Sequence, residues 1–137
     1  MRRIVSVTAA IVAVGAGPSA CGGDDSPSRT VTVEAGKPVE VTGKEHSFDP
    51  DKIVVDADGY SPAQVSIKLR NAGSLAHDLR VQSEDGDDLG GTPVFQGGKT
   101  EGATLSLKPG TYRIICSVGD HEQLGMKGTL EVSESLD

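Results

Sequence analysis

Three side chains able to bind soft metals stand at equal intervals near the end of the chain: Cys116, His121 and Met126, five residues apart in "CSVGDHEQLGM". A thiol, an imidazole and a thioether together suit a metal whose preference lies between soft sulfur and harder nitrogen. A second imidazole, His77 in "NAGSLAHDLRV", can join them from a separate segment. That set suits copper: sulfur favours Cu(I), nitrogen favours Cu(II), and a rigid intermediate geometry serves both. Taken singly, each residue has an ordinary explanation, His77 as a strand-end histidine, Met126 as a core gap-filler and Cys116 as a small buried hydrophobe. Their joint spacing has none.

What an unpaired thiol means depends on the compartment. The chain of 137 residues opens with Arg2 and Arg3, continues through the apolar run Ile4 to Val14, and reaches small residues before Cys21. Residues 1–20 therefore read as an export signal, the apolar run being too short for a spanning helix of roughly 20 residues. "GPSAC" followed by "GGDDSPSR" resembles a bacterial lipoprotein signal. A lipid on Cys21 would then hold the protein at the outer face of the cell membrane, with residues 21–29 as a flexible tether. Pro18 stands where such signals carry an aliphatic residue, so cleavage after Ala16 or Ala20, giving a soluble periplasmic or secreted protein, is the alternative. Either way Cys116 is the one cysteine of the folded body, and it must be buried, nucleophilic or metal-bound.

The chain carries 20 acidic and 13 basic residues, a formal charge of −7, and losing Arg2 and Arg3 makes it two units more negative. Nucleic acid is excluded as a partner by repulsion, and acidity keeps an exported protein soluble. One domain, residues 30–137, and a monomer are expected. It reads as β throughout: Thr30–Gly36, Pro38–Gly43, Asp51–Ala57, Ala63–Asn71, His77–Gln82, Gly102–Lys108, Thr111–Val118 and Gly128–Ser133 are short Val-, Ile- and Thr-rich runs broken by Gly, Pro, Asn and Asp. In "AQVSIKLRN", Val65, Ile67 and Leu69 share one face while Ser66, Lys68 and Arg70 share the other, as in a half-buried antiparallel strand. Short strands without helices predict an all-β, two-sheet Greek-key sandwich. Ser83–Lys99, rich in Gly and Asp, reads as a long surface loop without calcium-loop spacing.

With these strands in place, the chain resembles the cupredoxins, blue type 1 copper proteins, in the branch that includes plastocyanin, azurin and auracyanin. The resemblance runs through "HSFDPDKIVV", "VSIKLRNAGSLAHDLRV", "TPVFQGGKTEGATLSLKPGTYRIIC" and "GDHEQLGMKGTLEV", and its specific part is Asn-x5-His upstream of Cys-x4-His-x4-Met. It implies that His77, Cys116 and His121 are the strong equatorial ligands of one copper ion and Met126 the weak axial one. It also implies that electrons pass through the edge of His121, inside an apolar rim of Leu75, Ala76, Val118 and Leu124 that docks redox proteins. Two features depart from the family. The Cys-to-His spacing is longer than in plastocyanin, and Asp78 stands where an Asn usually ties the two ligand segments; an Asp can accept the Ser117 hydroxyl and an N–H in its place. Tyr112 resembles the corner tyrosine of Greek-key sandwiches. His46, the third histidine, is expected to lie on the surface away from any ligand.

Three functions compete. An electron carrier cycling Cu(I)/Cu(II) uses the axial thioether, which tunes potential. Copper storage or delivery needs an exchangeable site and commonly many Met and His, whereas the chain has two Met, Met1 included. An enzyme using Cys116 as nucleophile and His121 as base lacks an orienting residue. The carrier is the expected function, with no catalysis, and copper delivery is the alternative.

Overall fold

The computed structural model describes residues 28–135. The expected signal segment, Cys21 and the tether up to residue 27 lie outside them. The tether's last two residues are fastened to the domain: the Ser28 hydroxyl donates to Asp51 Oδ1 at 3.2 Å, the Arg29 N–H donates to the same oxygen at 2.8 Å, and the Arg29 guanidinium pairs with Asp49 at 2.7 Å.

Ten strands and no helix occur among the described residues. Eight fall on the runs expected from sequence: β1 (Thr30–Glu34), β2 (Pro38–Lys44), β4 (Lys52–Asp56), β5 (Ala63–Asn71), β6 (Arg80–Gln82), β8 (Thr100–Leu107), β9 (Gly110–Ile115) and β10 (Lys127–Ser133). Two short ones were not expected, β3 (Ser47–Asp49) and β7 (Asp88–Gly91). One sheet has the order β1-β4-β10-β9-β6-β7 and the other β3-β2-β5-β8. Both are mixed, since β1 and β10 each pair with β4 in parallel, as does β2 with β5, while β5 meets β8 antiparallel.

The strands hold because each offers one apolar face to the space between the sheets. Val65, Ile67 and Leu69 of β5 are buried as the alternation requires, opposite Ile53 and Val55 of β4, Ile114 of β9 and Leu130 and Val132 of β10. Each such side chain contributes about 1.5–3 kcal/mol when fully buried. Tyr112 bears out the corner role, its hydroxyl donating to the Lys108 carbonyl at 2.5 Å.

The segment Ser83–Lys99 is not one long loop. Its first half turns back as a hairpin in which β7 pairs with β6, fastened by Arg80 and Asp88 at 3.0 Å, and its second half buries Thr92 and Phe95. A side chain at position 91 would overlap the Leu79 carbonyl at 2.1 Å, so only glycine lets the two strands approach there. His77 lies not in β6 but just before it, in an isolated bridge to Phe95 with reciprocal backbone bonds of 3.1 and 3.0 Å.

Candidate metal centre

Cys116 and Met126 flank the loop between β9 and β10. The ladder pairs Ile115 with Lys127, and one further bond, Cys116 N–H to the Met126 carbonyl at 3.0 Å, closes it. The two sulfur residues thus stand opposite each other at the end of a rigid hairpin. The intervening loop folds on itself: the His121 N–H donates to Val118 O at 3.0 Å, and the Met126 N–H to His121 O at 2.9 Å. Glu122 anchors it to β9 through Arg113 at 2.6 Å.

His77 comes from the neighbouring loop, which Asn71 organises. Its buried side-chain amide donates to Leu75 O at 2.9 Å and Phe95 O at 3.2 Å, and its carbonyl oxygen accepts the Gly73 N–H at 3.1 Å. The Asn of the Asn-x5-His spacing therefore shapes the loop that aims His77. Asp78 follows, 2% exposed, and accepts both the Ser117 N–H at 2.7 Å and the Ser117 hydroxyl. It ties the His77 segment to the Cys116 segment, as expected for an Asp replacing the Asn.

These elements bring three donors together. His77 Nδ1 lies 3.2 Å from His121 Nδ1, and Cys116 Sγ lies 3.9 and 3.6 Å from those two atoms. One ion can reach all three: with bonds of about 2.0–2.1 Å to nitrogen and about 2.3 Å to sulfur, two nitrogens on one metal stand at most about 4.2 Å apart and a nitrogen and sulfur about 4.4 Å. Met126 is fully buried beneath the hairpin's end, and its Cε would lie 3.2 Å from a side chain at Gly43. His77 is 0% exposed, Cys116 1% and His121 8%, so His121 keeps the largest edge towards solvent. A core selected only for packing would not face two imidazoles and a thiol towards one another out of water.

Burial pushes the Cys116 thiol up and the His77 imidazolium down, so the unliganded site holds a protonated thiol beside a neutral ring. Opposing the burial of His77 is Glu45, whose Oε2 lies 3.3 Å from His77 Nε2. Glu45 Oε1 accepts the Ser74 hydroxyl at 2.6 Å and the Ser74 N–H, and these bonds hold its carboxyl at about 2. His46 is also closer than sequence reasoning placed it: its ring packs edge-on against His121, centroids 5.0 Å apart at 68°. Both residues sit in the β2–β3 turn; His46 was expected on the surface because no ligand lies near it in sequence, and Glu45 was not singled out. The rim is exposed at Leu75 and Leu124 and half-buried at Ala76 and Val118; exposed Val94, next to Phe95, was missed.

The family model of the cupredoxin-like domain matches residues 7–132, and the chain belongs to that family. Its fold is shared with a dithionite-reduced auracyanin from Roseiflexus castenholzii, at TM-score 0.63 and 20% identity over 72% of this chain and 98% of that one. It is shared too with auracyanin A, a "blue" copper protein from Chloroflexus aurantiacus, at 0.60 and 22% over 77% and 100%. Rusticyanin from Thiobacillus ferrooxidans follows at 0.56 and 22% over 76% and 82%. At these identities the likeness is one of fold. No curated protein sequence matches the chain.

Proposed function

We propose that this protein is a single-electron carrier in which His77, Cys116 and His121 would hold one type 1 copper ion, with Met126 as a weak fourth donor. The observation that carries the reading is the buried His-Cys-His cluster with a methionine held opposite the cysteine. Bound there, copper supplies a one-electron Cu(I)/Cu(II) couple. The chain's part is to fix the donors: Asn71 and the Phe95 bridge hold His77, the β9–β10 ladder holds Cys116 and Met126, and turn bonds hold His121. Donors held by backbone bonds rather than by the ion move little when its charge changes, which favours carrying electrons. A thioether beside the three strong donors favours copper over zinc, whose protein donors are thiolate, imidazole and carboxylate. Copper delivery is disfavoured because every donor is buried.

Redox proteins would dock at the copper end, over the exposed Leu75, Val94 and Leu124 beside the least buried ligand, His121. The signal-like N-terminus supports export, with a lipid on Cys21 anchoring the domain outside the cell membrane; mass spectrometry of the mature N-terminus tests this part.

The copper reading is tested by adding Cu(II) to the purified protein. An intense visible band that disappears on reduction and returns on oxidation is expected, and Cys116→Ser should lack it while remaining folded. A colourless protein with copper bound, or an unchanged band in Cys116→Ser, overturns it.

A further inference from the structure

Glu45 lies outside the donor set, yet Ser74 and His77 converge on its half-exposed carboxylate. Its Oε2 faces His77 Nε2 at 3.3 Å, on the opposite side of the ring from the Nδ1 that faces Cys116 and His121. A carboxylate only accepts, so His77 Nε2 must carry the proton and Nδ1 must keep its lone pair free. Ser74 grips the other oxygen through both its backbone N–H and its hydroxyl. Gly73 makes room, since a side chain there would overlap Glu45 Oε2 at 2.1 Å. The turn that presents Glu45 is itself strained, with His46 at a left-handed φ of 64°. A non-glycine residue takes that conformation only where its surroundings hold it there.

We propose that Glu45 is a positioning residue of the metal centre: it fixes the tautomer and ring orientation of His77, and its negative charge favours the more oxidised state of the bound ion. The inference rests on the copper reading above for its second half only. A carboxylate hydrogen-bonded behind a metal-binding imidazole orients the ring and raises its basicity, and losing one commonly weakens metal binding about 10–100-fold. Here the support comes from the smaller sheet, whereas Cys116 and His121 stand at the end of the larger one. Glu45 extends from the end of β2 and reaches His77 across the loop that Asn71 shapes.

Two variants separate shape from charge. Glu45→Gln keeps an acceptor for His77 Nε2–H without the charge; Glu45→Ala removes both. In the metal-free protein, nitrogen NMR of the imidazoles should show His77 as a single Nε2–H tautomer in the wild type and a mixture in Glu45→Ala. With copper, Glu45→Gln should lose Cu(II) affinity about tenfold with little change for Cu(I), which raises the reduction potential by about 59 mV. Gly73→Ala, which displaces the carboxylate without removing it, should shift both readouts in the same directions. A carboxylate serving only to brace the loop would lower stability while leaving tautomer and potential unchanged, and that result overturns the inference. Should the wild type bind no copper, the functional reading falls, while the metal-free tautomer still decides the role of Glu45.

Discussion

Filling the site with a divalent ion is expected to release about one proton at pH 7.5, because the donors start from different protonation states. Cys116 begins as a thiol, since burial pushes its ionisation above the ordinary cysteine range, and it must end as a thiolate. His77 contributes nothing. Burial lowers its pKa, its ring is neutral, and its single proton lies on Nε2 facing Glu45. The Cys116 proton is therefore the one counted on binding. The affinity should therefore rise about tenfold per pH unit between pH 7 and 8.5, or about 1.36 kcal/mol. Calorimetric titration with Zn(II), which cannot oxidise the thiol, in buffers of different protonation enthalpy counts the protons directly. A count near zero would mean a preformed thiolate, and near two a charged histidine; either refutes the reasoning.

Met126→Leu conserves volume, so thermal unfolding should shift by less than about 1.5 kcal/mol. Voltammetry should show a higher potential with the colour retained, since a weak donor to Cu(II) is gone; an unchanged potential would remove Met126 from the site. Asp78→Asn should keep a bond to Ser117 and raise the potential by removing a buried charge. Asp78→Ala loses both bonds and should cost about 1–3 kcal/mol in urea unfolding, some of their strength being recovered by water at exposed Ser117. Coincident potentials for wild type and Asp78→Asn would make Asp78 a spectator. In the metal-free protein, His77 has a folded-state pKa below its unfolded value, so its contribution is complete above about pH 6.5 and is lost as pH falls below it. Urea melts from pH 7.5 to 5 should show this decline, flatter in His77→Asn; equal slopes would place its source elsewhere.

Most strands were legible because alternation survives in them. In β5 the period of two fixes which face is buried whatever lies beside it, and the same holds for β2, β4 and β10. Strand direction was not legible. Alternation suggested an antiparallel β5, which holds for its pairing with β8 but not with β2, and the β2–β5 and β4–β10 pairs are parallel because long connections cross between sheets. The two short strands carry no intrinsic signal. Asp88–Gly91 is poor in strand-forming residues, and what makes it β is tertiary: the Arg80 ion pair and the close backbone approach at Gly91.

The centre divides along the same line. Cys116 and His121 could be read together because one hairpin, which also carries Met126, holds both, so their sequence spacing is nearly their spatial spacing, and the Asn-x5-His spacing pointed to His77 because Asn71 bonds within its own loop. Glu45 and His46 were not, since "GKEHS" becomes part of the site only after β2 and β3 form, His46 takes a left-handed turn, and the smaller sheet packs its end against the ligand loop. The only trace in sequence is a charged residue and a histidine side by side between two strand-like runs, which is common on surfaces. Donors that must touch the ion can be recognised by type and interval. The groups that orient them depend on packing between sheets, and the sheet that supplies no donor here supplies the carboxylate behind one imidazole and the ring beside the other.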